Sequence, residues 1–178
     1  MTKFTHSIAT ALLSTIVLAA SIGSAHAGGL HIARQNEAGG TTAVGGGAHQ
    51  GPNGGKLLRG KAVTTDGQGN GSAVSGVSGQ GPNGGKFKRA GVTTVNADGS
   101  ASYSGSASAS GTQGSAQTSG GASRDASGNI TQSRSSSATS ASTGNSVQSS
   151  SAYNKDTGMT HNATCYSASG ATMACPAR

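Results

Sequence analysis

The stretch Gln50-Gly51-Pro52-Asn53-Gly54-Gly55-Lys56 recurs, residue for residue, as Gln80-Gly81-Pro82-Asn83-Gly84-Gly85-Lys86, 30 positions later. Seven consecutive identities mark an internal repeat, and a repeat dictates architecture before any other feature does. The likeness runs on downstream. Lys56-Leu57-Leu58-Arg59 answers to Lys86-Phe87-Lys88-Arg89, Val63-Thr64-Thr65 to Val92-Thr93-Thr94 with one residue dropped, and Gly71-Ser72-Ala73 to Gly99-Ser100-Ala101. The shared text is that of a turn. Proline pre-sets its own φ, and Asn and Gly enter positive φ at low cost. Pro52, Asn53, Gly54, Pro82, Asn83 and Gly84 are therefore candidate turn residues.

Written from Gln50 in rows of 15, the chain places glycine in one column at Gly54, Gly69, Gly84, Gly99, Gly114 and Gly144, and one residue early at Gly128 and Gly158. Asp66-Gly67, Asp98-Gly99 and Asp156-Thr157-Gly158 add further turn text. About ten residues separate the turns, a strand's length. Ala101–Ser110 alternates Ala, Tyr and Gly on one face with Ser on the other, the period of a strand. Lys56–Thr65 and Lys86–Thr94 alternate poorly. Helix is disfavoured because Gly, Ser and Thr form helices poorly and no apolar stripe is present.

Hydrophobic residues, alanine included, make up 32% of the chain and aromatic residues 3%. Leu, Ile, Val and Phe together stay below about a fifth of the chain, under the usual composition of a globular domain. Ordering a residue costs roughly 1–2 kcal/mol of backbone entropy, which small side chains offset weakly. Two fold classes stay open. One is an all-β array of strand-turn units of about 15 residues, as a solenoid or meander, with cross-β stacking as a further form of it. The other is a largely disordered chain.

Residues 1–27 read as a signal peptide: Lys3, an apolar stretch from Ile8 to Ala20, and the A-x-A site Ala25-His26-Ala27. No cysteine follows that stretch to take a lipid. Residues 28–49, with three glycines at 45–47 and no periodicity, read as a flexible leader. Residues 50–109 hold two basic 30-residue units, 110–160 Ser/Ala/Gly-rich half-units, and 161–178 a C-terminal hairpin. Cys165 and Cys175 are the only cysteines, and in an exported chain they pair as one disulfide. A metal would need more ligands than His161 adds to them.

The net charge is +7, and it concentrates at Lys56, Arg59, Lys61, Lys86, Lys88 and Arg89. Such a cluster attracts anionic polymers: acidic polysaccharide, lipopolysaccharide or extracellular DNA. Edge lysines also restrain uncontrolled strand pairing. Catalytic patterns are missing. Gly79, Gly81 and Gly84 match G-x-G-x-x-G without the hydrophobic strand before it and the helix after it that a dinucleotide needs. Leu57 and Phe87 stand where a phosphate loop needs Ser or Thr. No G-x-S-x-G elbow occurs, and the acidic residues are scattered singly through turn text. Tyr103, Tyr153 and Tyr166 lie too far apart in sequence to read as one aromatic cleft. The expectation is a non-enzyme without cofactor or small-molecule substrate.

The plan of signal peptide, Gly-rich leader and short strand-turn-strand units resembles that of bacterial functional amyloids of the curli kind. The spaced Gln and Asn ladders of that family are not present, so no residue role carries over. The function expected is structural: an exported protein of the cell surface, matrix or periplasm that self-associates through β-structure and contacts anionic polymers. A monomeric binding module for an anionic ligand, and a disordered antimicrobial or matrix filler, are the alternatives.

Overall fold

The computed structural model describes residues 28–175, so the expected signal peptide lies outside the described residues. Eleven strands follow one another: β1 (Gly28–Gln35), β2 (Thr41–Gln50), β3 (Lys56–Thr65), β4 (Gly71–Gln80), β5 (Lys86–Val95), β6 (Ala101–Gly111), β7 (Gly114–Arg124), β8 (Ile130–Ser140), β9 (Ser146–Asn154), β10 (Gly158–Tyr166) and β11 (Thr172–Met173). They form one open antiparallel sheet in chain order, a β-meander. No helix occurs among the described residues. Every substantial contact is between successive strands, so the sheet is a single layer. Of the two open fold classes, the described residues take the ordered one, as a meander.

Hydrogen bonding explains the turns. In the first Pro-Asn turn, Gly54 N–H donates to Gly51 O at 3.1 Å and Gly51 N–H to Gly55 O at 2.8 Å. The second copies it at Gly81, Gly84 and Gly85. This is a three-residue hairpin loop whose last residue is left-handed, and Pro52 or Pro82 occupies the position that favours a fixed negative φ. Gly54 and Gly84 have φ of 81° and 79°. Every glycine of the 15-residue column has positive φ, and so do Gly39 and Gly170, at its two ends.

The leader expected at 28–49 is corrected by the structure: it is the hairpin of β1 and β2, in unbroken register from Gly28↔Ala48 to Gln35↔Thr41. Two things order it. The Asn36 carboxamide oxygen accepts from Ala38 and Gly40 N–H and shapes the turn. The His31 ring lies where a side chain on Gly45 would stand, filling space that the glycine leaves empty. The sheet also runs without a break through 109/110 and 160/161, which fall inside β6 and β10.

The second cysteine closes the C-terminal hairpin as expected: Cys165 and Cys175 are disulfide-bonded, with Cα atoms 5.3 Å apart. Core is nearly absent. Ala62 and Cys165, at 2% and 7% exposure, are the buried hydrophobic residues among those described.

The turns at one end of the sheet are carboxylate turns. Asp66 accepts from Gln68 and Asn70 N–H and from the Asn70 carboxamide. Asp125 repeats this with Asn129, and Asp98 accepts from Ser100 N–H. The side-chain donors Asn70, Ser100 and Asn129 are the largest cause holding these three carboxyls below the usual aspartate range, ahead of the backbone donors. Neighbouring turns are tied together as well: Asn36 Nδ2 donates to Thr65 O, Ala97 N–H to Asn70 Oδ1, and Arg124 to Gly99 O.

Gly84→Ala is expected to destabilise the sheet by about 1 kcal/mol. No atom crowds the site of the added Cβ, so the cost is that of left-handed backbone alone. Gly84→Asn should recover much of it in urea titration. Because Asp66, Asp98 and Asp125 have depressed folded pKa values, they stabilise the fold above their unfolded value near 3.9. That contribution is lost as pH falls through their folded values. The urea midpoint should therefore decline below about pH 4, and Asp125→Asn should flatten part of the decline.

Candidate polyanion-contact surface

Register fixes which side chains share a face, because directly opposed residues in an antiparallel pair point the same way and alternate residues oppose. The ladder is unbroken from Leu57↔Gly79 through Gly79↔Phe87, Phe87↔Ala109, Ala109↔Ala116, Ala116↔Ala138 and Ala138↔Val147 to Val147↔Cys165 and Cys165↔Met173. These residues therefore make one apolar row across nine strands. Six residues along, Val63, Ala73, Thr93, Tyr103, Ala122, Gln132, Tyr153 and Met159 share the same face.

The two faces differ in chemistry. Eleven large apolar side chains stand exposed among the described residues. Val63, Phe87, Val95 and Tyr103 lie on the face just described, as do Ile130, Tyr153, Met159 and Met173. Only Leu30, Ile32 and Leu58, in β1 and β3, lie on the other. We call the first the apolar face. The opposite, hydroxyl face carries Thr42, Thr64, Ser72, Thr94, Ser102, Ser123 and Thr131 in one row over seven strands. Thr94–Ser102 and Ser123–Thr131 hydroxyls pair at 2.6 and 2.7 Å.

The six basic residues singled out in the sequence are divided between the faces. Arg59, Lys61 and Arg89 are on the apolar face, with Arg59 and Arg89 in one row either side of Val77. Lys56, Lys86 and Lys88 are on the hydroxyl face, with Lys56 and Lys86 either side of Gln80. Residues two strands apart in a row are about 9.6 Å apart, a spacing that suits successive anionic groups along a polymer. All six are exposed.

Acidic residues avoid both faces. Glu37, Asp66, Asp98, Asp125 and Asp156 are the five in the chain. Each lies in a turn joining an odd-numbered strand to the next even-numbered one, so all five are at one end of the sheet. Lys56 and Lys86 begin their strands at the other end, beside the Pro-Asn turns. The sheet is polarised along its strands, and five of the six basic residues sit in the half without carboxylates, Lys61 lying just past the middle of β3.

Shallow troughs mark the surface. One of about 630 Å³ on the hydroxyl face includes Lys88, Ser108, Gln117 and Ser137 in its lining. An adjoining one of about 330 Å³ adds Lys86, Ser110 and Thr139. On the apolar face a depression of about 680 Å³ is floored by Ala109, Ala116, Ala138, Val147, Cys165 and Met173. Tyr103 and Tyr153 share a row of the apolar face, three strands apart, while Tyr166 is on the other. The Tyr103 ring covers Gly105 and Gly91, and that of Phe87 covers Gly79. Among the described residues no group of three or more His, Cys, Asp or Glu side chains converges as a metal site would require.

Sequence reasoning singled out the basic residues as candidates but not their division between faces, the gathering of the acids at one end or the apolar row. Parity along each strand held the signal for the first. No family model, no curated protein and no solved structure matches this chain.

Proposed function

We propose that the protein is an exported, non-enzymatic structural component of a bacterial surface or extracellular matrix, built from repeated strand-turn units. In this reading it associates through its sheet edges and holds anionic polymers with its basic strands. The observation that carries it is the sheet itself: a single layer with two bare faces and a basic half free of carboxylates. The disulfide fits an oxidising compartment.

Both edges support assembly. β1 has a partner on one side only. β11 covers just Cys165 and Tyr166 of β10, which leaves its remaining residues without a neighbour on that side. Unpaired N–H and C=O groups on such edges are templates for another strand. The hydroxyl-face trough supports polymer contact, because Lys86 and Lys88 there adjoin hydroxyl and carboxamide groups suited to an acidic polysaccharide or to phosphodiesters.

Asn36 N–H bonds inward to Gly40 O, so by alternation the Ala33 N–H points away from β2. Ala33→Pro should leave the sheet's circular dichroism intact and suppress concentration-dependent assembly in sedimentation and fibre diffraction. Unchanged assembly would remove β1 from the proposal.

Charge is tested one face at a time. Replacing Lys56, Lys86 and Lys88 together by Gln should weaken binding to double-stranded DNA and reduce the log–log salt slope by roughly 2–3. Retention on dextran sulfate should fall with it. Unchanged, salt-insensitive retention after all six basic residues are replaced would sink polymer contact.

A further inference from the structure

The apolar face combines two properties that neither a polysaccharide nor a nucleic acid satisfies together. It exposes eight large apolar side chains, Met159 at 69% and Phe87 at 41% among them. It also carries Arg59, Lys61, Arg89, Arg124 and Arg134, with no carboxylate on any strand. We infer that this face seats on an anionic lipid surface, with its arginines among the headgroup phosphates and its apolar rows at the acyl boundary.

Charge selects this occupant over the others. A second copy pressed face to face would bring two sets of five cations into one water-poor layer. The acids, confined to turns at one end beside Arg124, could not neutralise the other four there, and unpaired buried charge is costly. A polysaccharide or nucleic acid would neutralise the cations but leave Phe87, Ile130 and Met159 in water. Anionic lipid answers both needs. Phosphate oxygens accept the planar guanidinium in bidentate fashion, and Lys61 can lay its stem along Val63 while its ammonium reaches the headgroups.

Geometry agrees with the charge. The row from Leu57 to Met173 and the row holding Tyr103 and Tyr153 bracket two cationic rows, Arg59–Val77–Arg89 and the one holding Lys61 and Arg134, so a cationic band lies between apolar lines. Ten strands at about 4.8 Å spacing and ten residues at about 3.3 Å span roughly 43 by 33 Å. An area of that order is ample for interfacial binding that scales with buried apolar surface and anionic attraction. The inference rests on the anion-binding reading for its charge and adds the apolar half of the ligand.

The test is co-sedimentation of the purified protein with vesicles of phosphatidylglycerol or of phosphatidylcholine. Reporter tryptophans would be placed by Tyr153→Trp on the apolar face and Ser135→Trp on the hydroxyl face. Binding is expected to phosphatidylglycerol alone, and to weaken between about 0.1 M and about 1 M salt. Only the tryptophan at 153 should shift to the blue. Phe87→Ser with Ile130→Ser should cost roughly tenfold or more in affinity. Arg59→Gln and Arg89→Gln should cost about fivefold each, and these serve alone if the apolar variants fail to fold. Absence of vesicle binding with dextran sulfate still retained overturns the lipid inference and leaves polymer contact standing; loss of both removes the two together. An equal shift at position 135 overturns the choice of face. A tryptophan at 153 already shielded without lipid, with doubled mass, assigns the face to a second copy and overturns the inference.

Discussion

Interstrand backbone hydrogen bonding is what the whole structure depends on, because side-chain burial contributes so little. A sheet with Ala62 and Cys165 as its buried hydrophobic residues cannot lean on a core, and the entropy of ordering each residue must be met elsewhere. The ladders meet it by pairing almost every strand residue on both sides from β2 to β9. That solution demands constant register. One slipped residue would carry a strand's apolar set to the opposite face, and small residues by themselves resist slippage weakly. The turns therefore carry the specification: left-handed glycines at fixed spacing, aspartates that collect their own loop's N–H groups, and side-chain bonds from each carboxylate turn to its neighbour.

This explains which parts of the fold were legible in sequence. The glycine column from Gly54 to Gly158 marked the turns because positive φ excludes most other residues, a constraint that acts locally and leaves its trace locally. β3 is Lys56–Thr65, the bounds read from the sequence, despite its poor alternation. The leader was misread for the converse reason. Gly45, Gly46 and Gly47 look like linker when judged alone, yet each is paired across the sheet, and the His31 ring over Gly45 is visible only once register is known. Gly39, one row of 15 before Gly54, was the local sign that the turn rhythm begins earlier.

The division of charge was hidden for a related reason. Lys56 and Arg59 are neighbours in sequence and opposite in space, and face follows parity within a strand. Parity does not run uniformly along the chain. The apolar face holds odd-numbered residues through β6, even-numbered ones in β7 and β8, and odd-numbered ones again from β9. The Thr112-Gln113 loop, two residues between strand ends, makes the first exchange, since the five residues between strand ends in each earlier connection preserve parity and two do not. Composition registers none of this. It reports a basic, serine-rich chain, whereas register separates an apolar, arginine-bearing surface from one of hydroxyls and lysines.

The edges and faces constrain each other. β1 and β10 are different strands with different side chains, so pairing one molecule's β1 with another's β10 joins unlike surfaces, and such contacts propagate without closing. Continuing the sheet in this way extends each row across the joint and keeps the apolar face on one side. The cystine hairpin stands against this at a single corner. β11 pairs with Cys165 and Tyr166 at the Pro-Asn end of β10, and an incoming strand would have to pass it or stop there. A second strand can engage β10 only from Gly158 to Thr164, seven residues that match most of β1's eight. The disulfide thus limits where a neighbour begins to pair while leaving the stretch that holds Met159 and His161 free to receive it. Growth along the edges would also enlarge the apolar face with every copy added, and the water-exposed apolar area per assembly would rise in proportion. An assembly of this kind needs a surface to lie against more than a single molecule does.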